Sequence, residues 1–198
     1  MLHAMERVGV FGGTFDPVHV GHVVAAVWAR AALALDRVLV VVANEPWQKS
    51  GRAVTPAEDR LAMVAAAVEG RDGLEASRIE IDRGGPSYTA ETLQAVAAPA
   101  GGRSELFLIV GADVASELRT WERPEVVRRL ATVAVVDRPG AGDVALGPGW
   151  RVEHVEIPLL AVSGSALRER AEAGLPLDGL VPDAAIRVIR ERGLYAGG

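Results

Sequence analysis

Val8-Gly9-Val10-Phe11 runs directly into Gly12-Gly13, and the chain later returns as Arg37-Val38-Leu39-Val40-Val41-Val42. The first run reads as a short buried strand ending in a tight loop, because paired glycines reach backbone conformations closed to other residues. The second is apolar at every position after Arg37, the pattern of a strand covered on both faces. Between them, residues 21–33 are rich in alanine, with Val24, Val27, Trp28 and Ala31 at helical spacing. Strand, loop, helix, strand is a βαβ unit, and such units build parallel sheets.

The alternation continues. Residues 43–54, with Pro46 and Gly51, read as a loop. Thr55-Pro56-Ala57-Glu58 has the form of a capping box with proline at the first helical position, predicting a helix to about residue 69. Strands are expected at 74–81, 106–110, 132–136 and 152–157, with a loop at 82–87. Helices are expected at 89–97, 114–118, 124–130, 165–173 and 182–192, and residues 141–149 form a glycine- and proline-rich excursion. The expected fold is α/β: a doubly wound, mostly parallel sheet, Rossmann-like, with C-terminal helices. It is read as a single domain over 1–198, with 160–198 as its helical C-terminal portion. Sheets of this kind bind ligands beyond the carboxyl ends of their strands, where the loops after Phe11, Val42, Val110 and Val136 would meet.

The 198 residues carry a formal charge of -5, so no general basic field draws nucleic acid or anionic lipid. No nucleic-acid or membrane partner is expected. No stretch reaches the length of an apolar membrane span, and the first residues lack the form of a signal peptide. The chain has no cysteine, which rules out disulfides and thiolate chemistry and agrees with a cytoplasmic setting. A homo-oligomer is left open.

The richest segment is Val10-Phe11-Gly12-Gly13-Thr14-Phe15-Asp16-Pro17-Val18-His19-Val20-Gly21-His22. Glycines after a strand allow close approach to a ligand, and the following helix start offers free amides to an anion. His19 and His22, three apart, add side-chain donors there. The segment fits neither G-x-G-x-x-G nor the G-K-S/T ending of a P-loop. A phosphate cradle, a simple turn and a histidine metal site all remain open on these residues alone, the last needing a third ligand for which Asp16 is the nearby candidate.

The stretch Gly13-Thr14-Phe15-Asp16-Pro17-Val18-His19-Val20-Gly21-His22 resembles the nucleotidyltransferase signature G-x-F-D-P-x-H-x-G-H. The resemblance implies that His19 and His22 contact ATP phosphates, with Gly12, Gly13, Thr14 and Phe15 around the nucleotide. Val162-Ser163-Gly164-Ser165-Ala166-Leu167-Arg168 is similar to the superfamily's I-S-S-T-x-x-R. That similarity implies that Ser163, Ser165 and Arg168 hold the triphosphate. Gly164 stands where the pattern has serine, and Ser165 where it has threonine.

Three further stretches resemble nicotinate mononucleotide adenylyltransferases. Asn44-Glu45-Pro46-Trp47-Gln48-Lys49 matches the loop whose lysine meets a phosphate. Gly84-Gly85-Pro86-Ser87-Tyr88-Thr89-Ala90-Glu91-Thr92-Leu93 matches S-Y-T-x-x-T-L. Gly111-Ala112-Asp113, followed by Leu118 and Trp121, matches G-A-D-x-x-x-x-L-x-x-W. By resemblance, Tyr88, Thr89 and the backbone at Glu122 lie near the nicotinate carboxylate, and Trp121 stacks on the pyridine. Gly111 and Asp113 meet the nucleotide, as does Arg138 in a strand-end turn. A carboxylate at Glu122 would repel a second one, so its side chain is expected to point away.

The implied reaction is in-line attack by the mononucleotide phosphate on the ATP α-phosphorus, with ATP and nicotinate mononucleotide as substrates and Mg²⁺ bridging triphosphate oxygens. His19, His22, Lys49 and Arg168 are its expected catalytic residues, and no protein metal ligands are assigned. Nicotinamide mononucleotide or 4′-phosphopantetheine as acceptor, and a non-catalytic nucleotide-binding regulator, are the alternatives.

Overall fold

The computed structural model describes residues 5–46, 53–99, 103–137, 144–158 and 160–196. Among these residues the strands are β1 (Glu6–Gly13), β2 (Arg37–Val42), β3 (Leu74–Ser77), β4 (Ser104–Gly111), β5 (Ala131–Asp137) and β6 (Val152–Glu156). They form one sheet in the order β3-β2-β1-β4-β5-β6, with every described pairing parallel. The helices are α1 (Val20–Ala32), α2 (Ala57–Val68), α3 (Ile79–Arg83), α4 (Thr89–Ala97), α5 (Ala112–Glu117), α6 (Pro124–Leu130), α7 (Gly164–Glu172) and α8 (Asp183–Glu191).

Both faces of the sheet are covered, which is why β2 and β4 are apolar almost throughout. In β4, Phe107 and Ile109 join the core beneath α1, α2 and α8, whereas Leu106, Leu108 and Val110 join the core beneath α4, α5 and α6. This is the period of two that a strand imposes on its side chains. Val8 of β1 pairs with Arg37 on one side and Leu106 on the other. The chain thus winds outward from β1 in one direction and from β4 in the other. The crevice between their carboxyl ends is the switch point at which such sheets take ligands.

Three local expectations change. Strand β1 extends through Gly12 and Gly13, which pair with Val41 and Val42. Helix α1 buries Ala25, Ala26 and Ala29, while Trp28 on its other side is 42% exposed. The helix forms as expected, and its small alanines let it lie close against the sheet, with Val27 packing beside them. The expected strand over 74–81 ends at Ser77. Ile79 and Ile81 then turn into α3, which stops at Gly84 with φ of 71°. Finally, Pro56 rather than Thr55 takes the N-cap position of α2, and no side chain caps that helix.

Candidate active site

A cavity of about 520 Å³ opens at the β1/β4 crevice. Gly12, Gly13, Thr14, Phe15, His19 and His22 line one part of it, and Gly111, Thr89 and Trp121 line another. Segments far apart in sequence therefore share one space. A Cβ placed on Gly12 would meet nothing within 4 Å, so the strand end presents bare backbone to the cavity. A Cβ on Gly13 would come within 2.7 Å of the Phe15 ring, which folds back over the loop.

His19 is the N-cap residue of α1, and its backbone N–H donates to His22 Nδ1 at 3.1 Å. That bond fixes the proton of a neutral His22 ring on Nε2, where it can be donated to an oxyanion. The two imidazoles stack with centroids 3.6 Å apart, and the Phe15 ring stands edge-on to His22 at 4.9 Å. Helix α1 has no acidic residue in its first turn, so no carboxylate side chain competes with an anion at its positive end, although the Val20 N–H already donates to the Leu180 carbonyl at 2.9 Å.

His19 is 8% exposed, and burial lowers its pKa from an ordinary 6.5 to about 4. The unfolded chain therefore binds a proton more readily than the folded one between these values. Stability from this site is complete above about pH 6.5 and is lost as pH falls through 4. The loss is expected to reach about 3 kcal/mol. Denaturant titrations of the wild type and His19→Asn from pH 7 to 4 should show a slope that the variant largely lacks. Parallel slopes would contradict this.

The other wall of the first loop is built from the C-terminal portion. Ser163 caps α7 by accepting from the Ala166 N–H at 3.3 Å. Arg168 donates through Nη1 to the Asp16 carbonyl at 2.6 Å and through Nη2 to Ser165 Oγ at 3.2 Å. A Cβ on Gly164 would come within 2.8 Å of the Asp16 carbonyl oxygen. Glycine at this position lets the start of α7 sit directly against the loop, which accounts for the missing serine of the I-S-S-T pattern. Val162 lines the cavity, whereas Ser163, Ser165 and Arg168 are not among its lining residues.

Burial alone would push the Asp16 carboxyl upward. Hydrogen bonds from Thr55 and Tyr195 and the charge of Arg168 outweigh it and hold the pKa below the usual carboxylate range. Thr55, expected to cap α2, thus spends its polar groups on Asp16 instead. Arg60, 1% exposed, donates to the carbonyls of Thr55, Thr14, Ala43 and Asn44 at 2.7–3.1 Å. One guanidinium ties the loops after β1 and β2 to the start of α2.

On the acceptor side, Thr89 opens α4 after Tyr88, which is its N-cap residue and does not line the cavity. Ser87 Oγ accepts from the Asn44 N–H at 2.9 Å, and the Ser87 N–H donates to the Glu45 carbonyl at 3.0 Å, lacing this segment to the β2 loop. Glu91 pairs with both Arg83 and Arg123, at 3.3 and 3.2 Å, and so joins α3 to the Trp121 segment. Trp121 Nε1 is buried with no hydrogen-bond partner among the described residues. Glu122 and Asp113 are exposed and lie outside the cavity lining. Glu80, a cavity residue the sequence reading passed over, accepts from the Thr92 hydroxyl. Lys49 and Arg138 lie outside the described residues.

A parallel sheet whose switch-point cavity is lined by a G-x-F-D-P-x-H-x-G-H loop has the architecture of a nucleotidyltransferase. The sequence model of the cytidylyltransferase-like family matches residues 10–170, and the chain belongs to that family. Within it, the chain stands with the bacterial nicotinamide and nicotinate mononucleotide adenylyltransferase-like proteins. It is 43% identical to a protein of Saccharopolyspora erythraea named "Probable nicotinate-nucleotide adenylyltransferase", across 97% of this chain and 91% of the relative. A Streptomyces coelicolor protein of the same name is 44% identical, across 94% and 99%. The fold also matches a solved nicotinic acid mononucleotide adenylyltransferase of Plasmodium falciparum, with a TM-score of 0.77 at 15% identity over 96% and 97% of the two chains.

Proposed function

We propose that this chain is an adenylyltransferase acting on a pyridine nucleotide in NAD biosynthesis, and that its acceptor is nicotinate mononucleotide. The observation that carries this reading is the shared cavity, with the His19/His22 loop in one part and Thr89 and Trp121 in another. An acceptor phosphate oxygen attacks the α-phosphorus of ATP. A new P–O–P bond forms, the bond to the β-phosphate oxygen breaks, and pyrophosphate departs with its electron pair. The attacking oxygen is already anionic, so no protein nucleophile is required.

The protein's part is alignment and charge stabilisation. His22 Nε2–H, the backbone at Gly12 and Gly13 and the start of α1 receive phosphate oxygens, with Lys49 and Arg168 supplying positive charge. Trp121 offers a face to the pyridine. Among the described residues no three His, Cys, Asp or Glu side chains converge as metal ligands, and Asp16 is committed to Tyr195 and Thr55. This donor set fits a Mg²⁺ held by phosphate oxygens, where it would neutralise charge on the departing pyrophosphate.

Nicotinamide mononucleotide is the second reading, favoured by the Glu80 carboxylate in the cavity lining, which would repel a nicotinate carboxylate that came close. Pyrophosphate release from Mg-ATP with nicotinate mononucleotide, nicotinamide mononucleotide or 4′-phosphopantetheine decides between them. The expected result is a kcat/KM for nicotinate mononucleotide about tenfold or more above the other two. A preference for the amide would move the assignment to the second reading. Release with none would leave a nucleotide-binding regulator.

A further inference from the structure

Tyr195 lies beyond the last helix and has no part in the sequence motifs, yet its hydroxyl donates to Asp16 Oδ1 at 2.7 Å, across 179 positions of chain. The contact is built with care. After α8 the chain reverses through Gly193 and Tyr195, both with positive φ, of 62° and 58°. A tyrosine rarely adopts that backbone, so tertiary contacts must hold it there. The Leu194 N–H returns to the Ile189 carbonyl at 2.9 Å, and Arg192 pairs with Asp59 of α2 at 2.6 Å. The Tyr195 hydroxyl also approaches Met63 Sδ, at 3.9 Å.

Asp16 is 5% exposed and is the residue at which three parts of the fold converge. Tyr195 holds its side chain, Arg168 of α7 holds its carbonyl, and Arg60 of α2 holds the neighbouring Thr14 carbonyl. The Asp16 carboxylate also faces Arg168, with Oδ2 at 3.8 Å from Nη1, so a carboxylate released from Tyr195 would shift the charge against which that guanidinium is set.

We propose that Tyr195 is a positioning residue for nucleotide binding: it clamps Asp16 so that the first loop and Arg168 are set for the triphosphate. This rests on the reading of the loop as the ATP site. The clamp acts on the nucleotide half of the cavity, not on the Trp121 half.

Tyr195→Phe in the full chain removes one hydroxyl and keeps the ring. It is expected to raise KM for ATP about fivefold to tenfold while KM for the pyridine mononucleotide stays within about twofold. In an Asp16→Asn background the same substitution should add little, because the two residues act as one unit. Unchanged ATP kinetics, or equal increases in both KM values, would overturn the proposal. So would full additivity of the two substitutions.

Binding of a non-hydrolysable ATP analogue to the wild type and Tyr195→Phe separates this from the assigned reaction. An inactive wild type whose analogue affinity still depends on Tyr195 refutes the reaction and supports the clamp. An analogue that binds both proteins equally refutes the clamp whatever the turnover.

Discussion

His22→Ala is expected to lower kcat by about 10²–10³-fold, the cost of losing one preorganised donor at a developing charge. The folded protein should lose only about 1–2 kcal/mol, from the hydrogen bond with the His19 N–H and contact with Phe15. Turnover and thermal unfolding of the same preparation test this. A folded variant with near-normal kcat would remove His22 from the mechanism. On the proposed reaction His19, neutral at pH 7 because of its burial, would contribute by donation and not as a standing positive charge. An arriving triphosphate would raise its pKa and draw a proton toward the ring.

The second large effect falls on stability. Arg60→Met should cost about 3–5 kcal/mol, because it leaves the carbonyls of Thr14, Ala43, Asn44 and Thr55 without their donor in a buried setting. That corresponds to a fall in Tm of roughly 10 °C for a domain of this length. Arg60→Lys should recover only part of it, since a compact ammonium cannot span the same four acceptors. A loss below about 1 kcal/mol on denaturant titration would show that the loops hold themselves in place.

Local sequence made much of the fold legible. The branched run at β2 and the Thr89–Ala97 helix carry their own signals, the one in branched apolar residues and the other after the glycine- and proline-containing loop at 82–87. Local signals failed where distant partners competed. Thr55 had the right neighbours to cap a helix, but the folded chain brings Asp16 to it. Ile79 and Ile81 suit a strand, yet the turn at Gly84 and the packing of α3 against the sheet fold them into a helix.

The site divides in the same way. The H-x-G-H loop is contiguous and could be read directly. Arg60 and Tyr195 look like an ordinary helix arginine and a terminal tyrosine, because their contacts reach as far as 46 and 179 positions along the chain. Glu80 gave no sign either, since its role depends on a contact with Thr92 one helix later.

The central place of β1 has a consequence for how the chain is made. Synthesis from the N-terminus supplies β1, β2 and β3 first, so the edge of β1 that will meet β4 has no partner while the middle of the chain is still emerging. The side chains of Val8 and Val10, buried in the finished fold in the cluster completed by α4, α5 and α6, lack those neighbours until the later helices are made. The nascent half-sheet is therefore the stage most exposed to misplaced strand pairing on the ribosome.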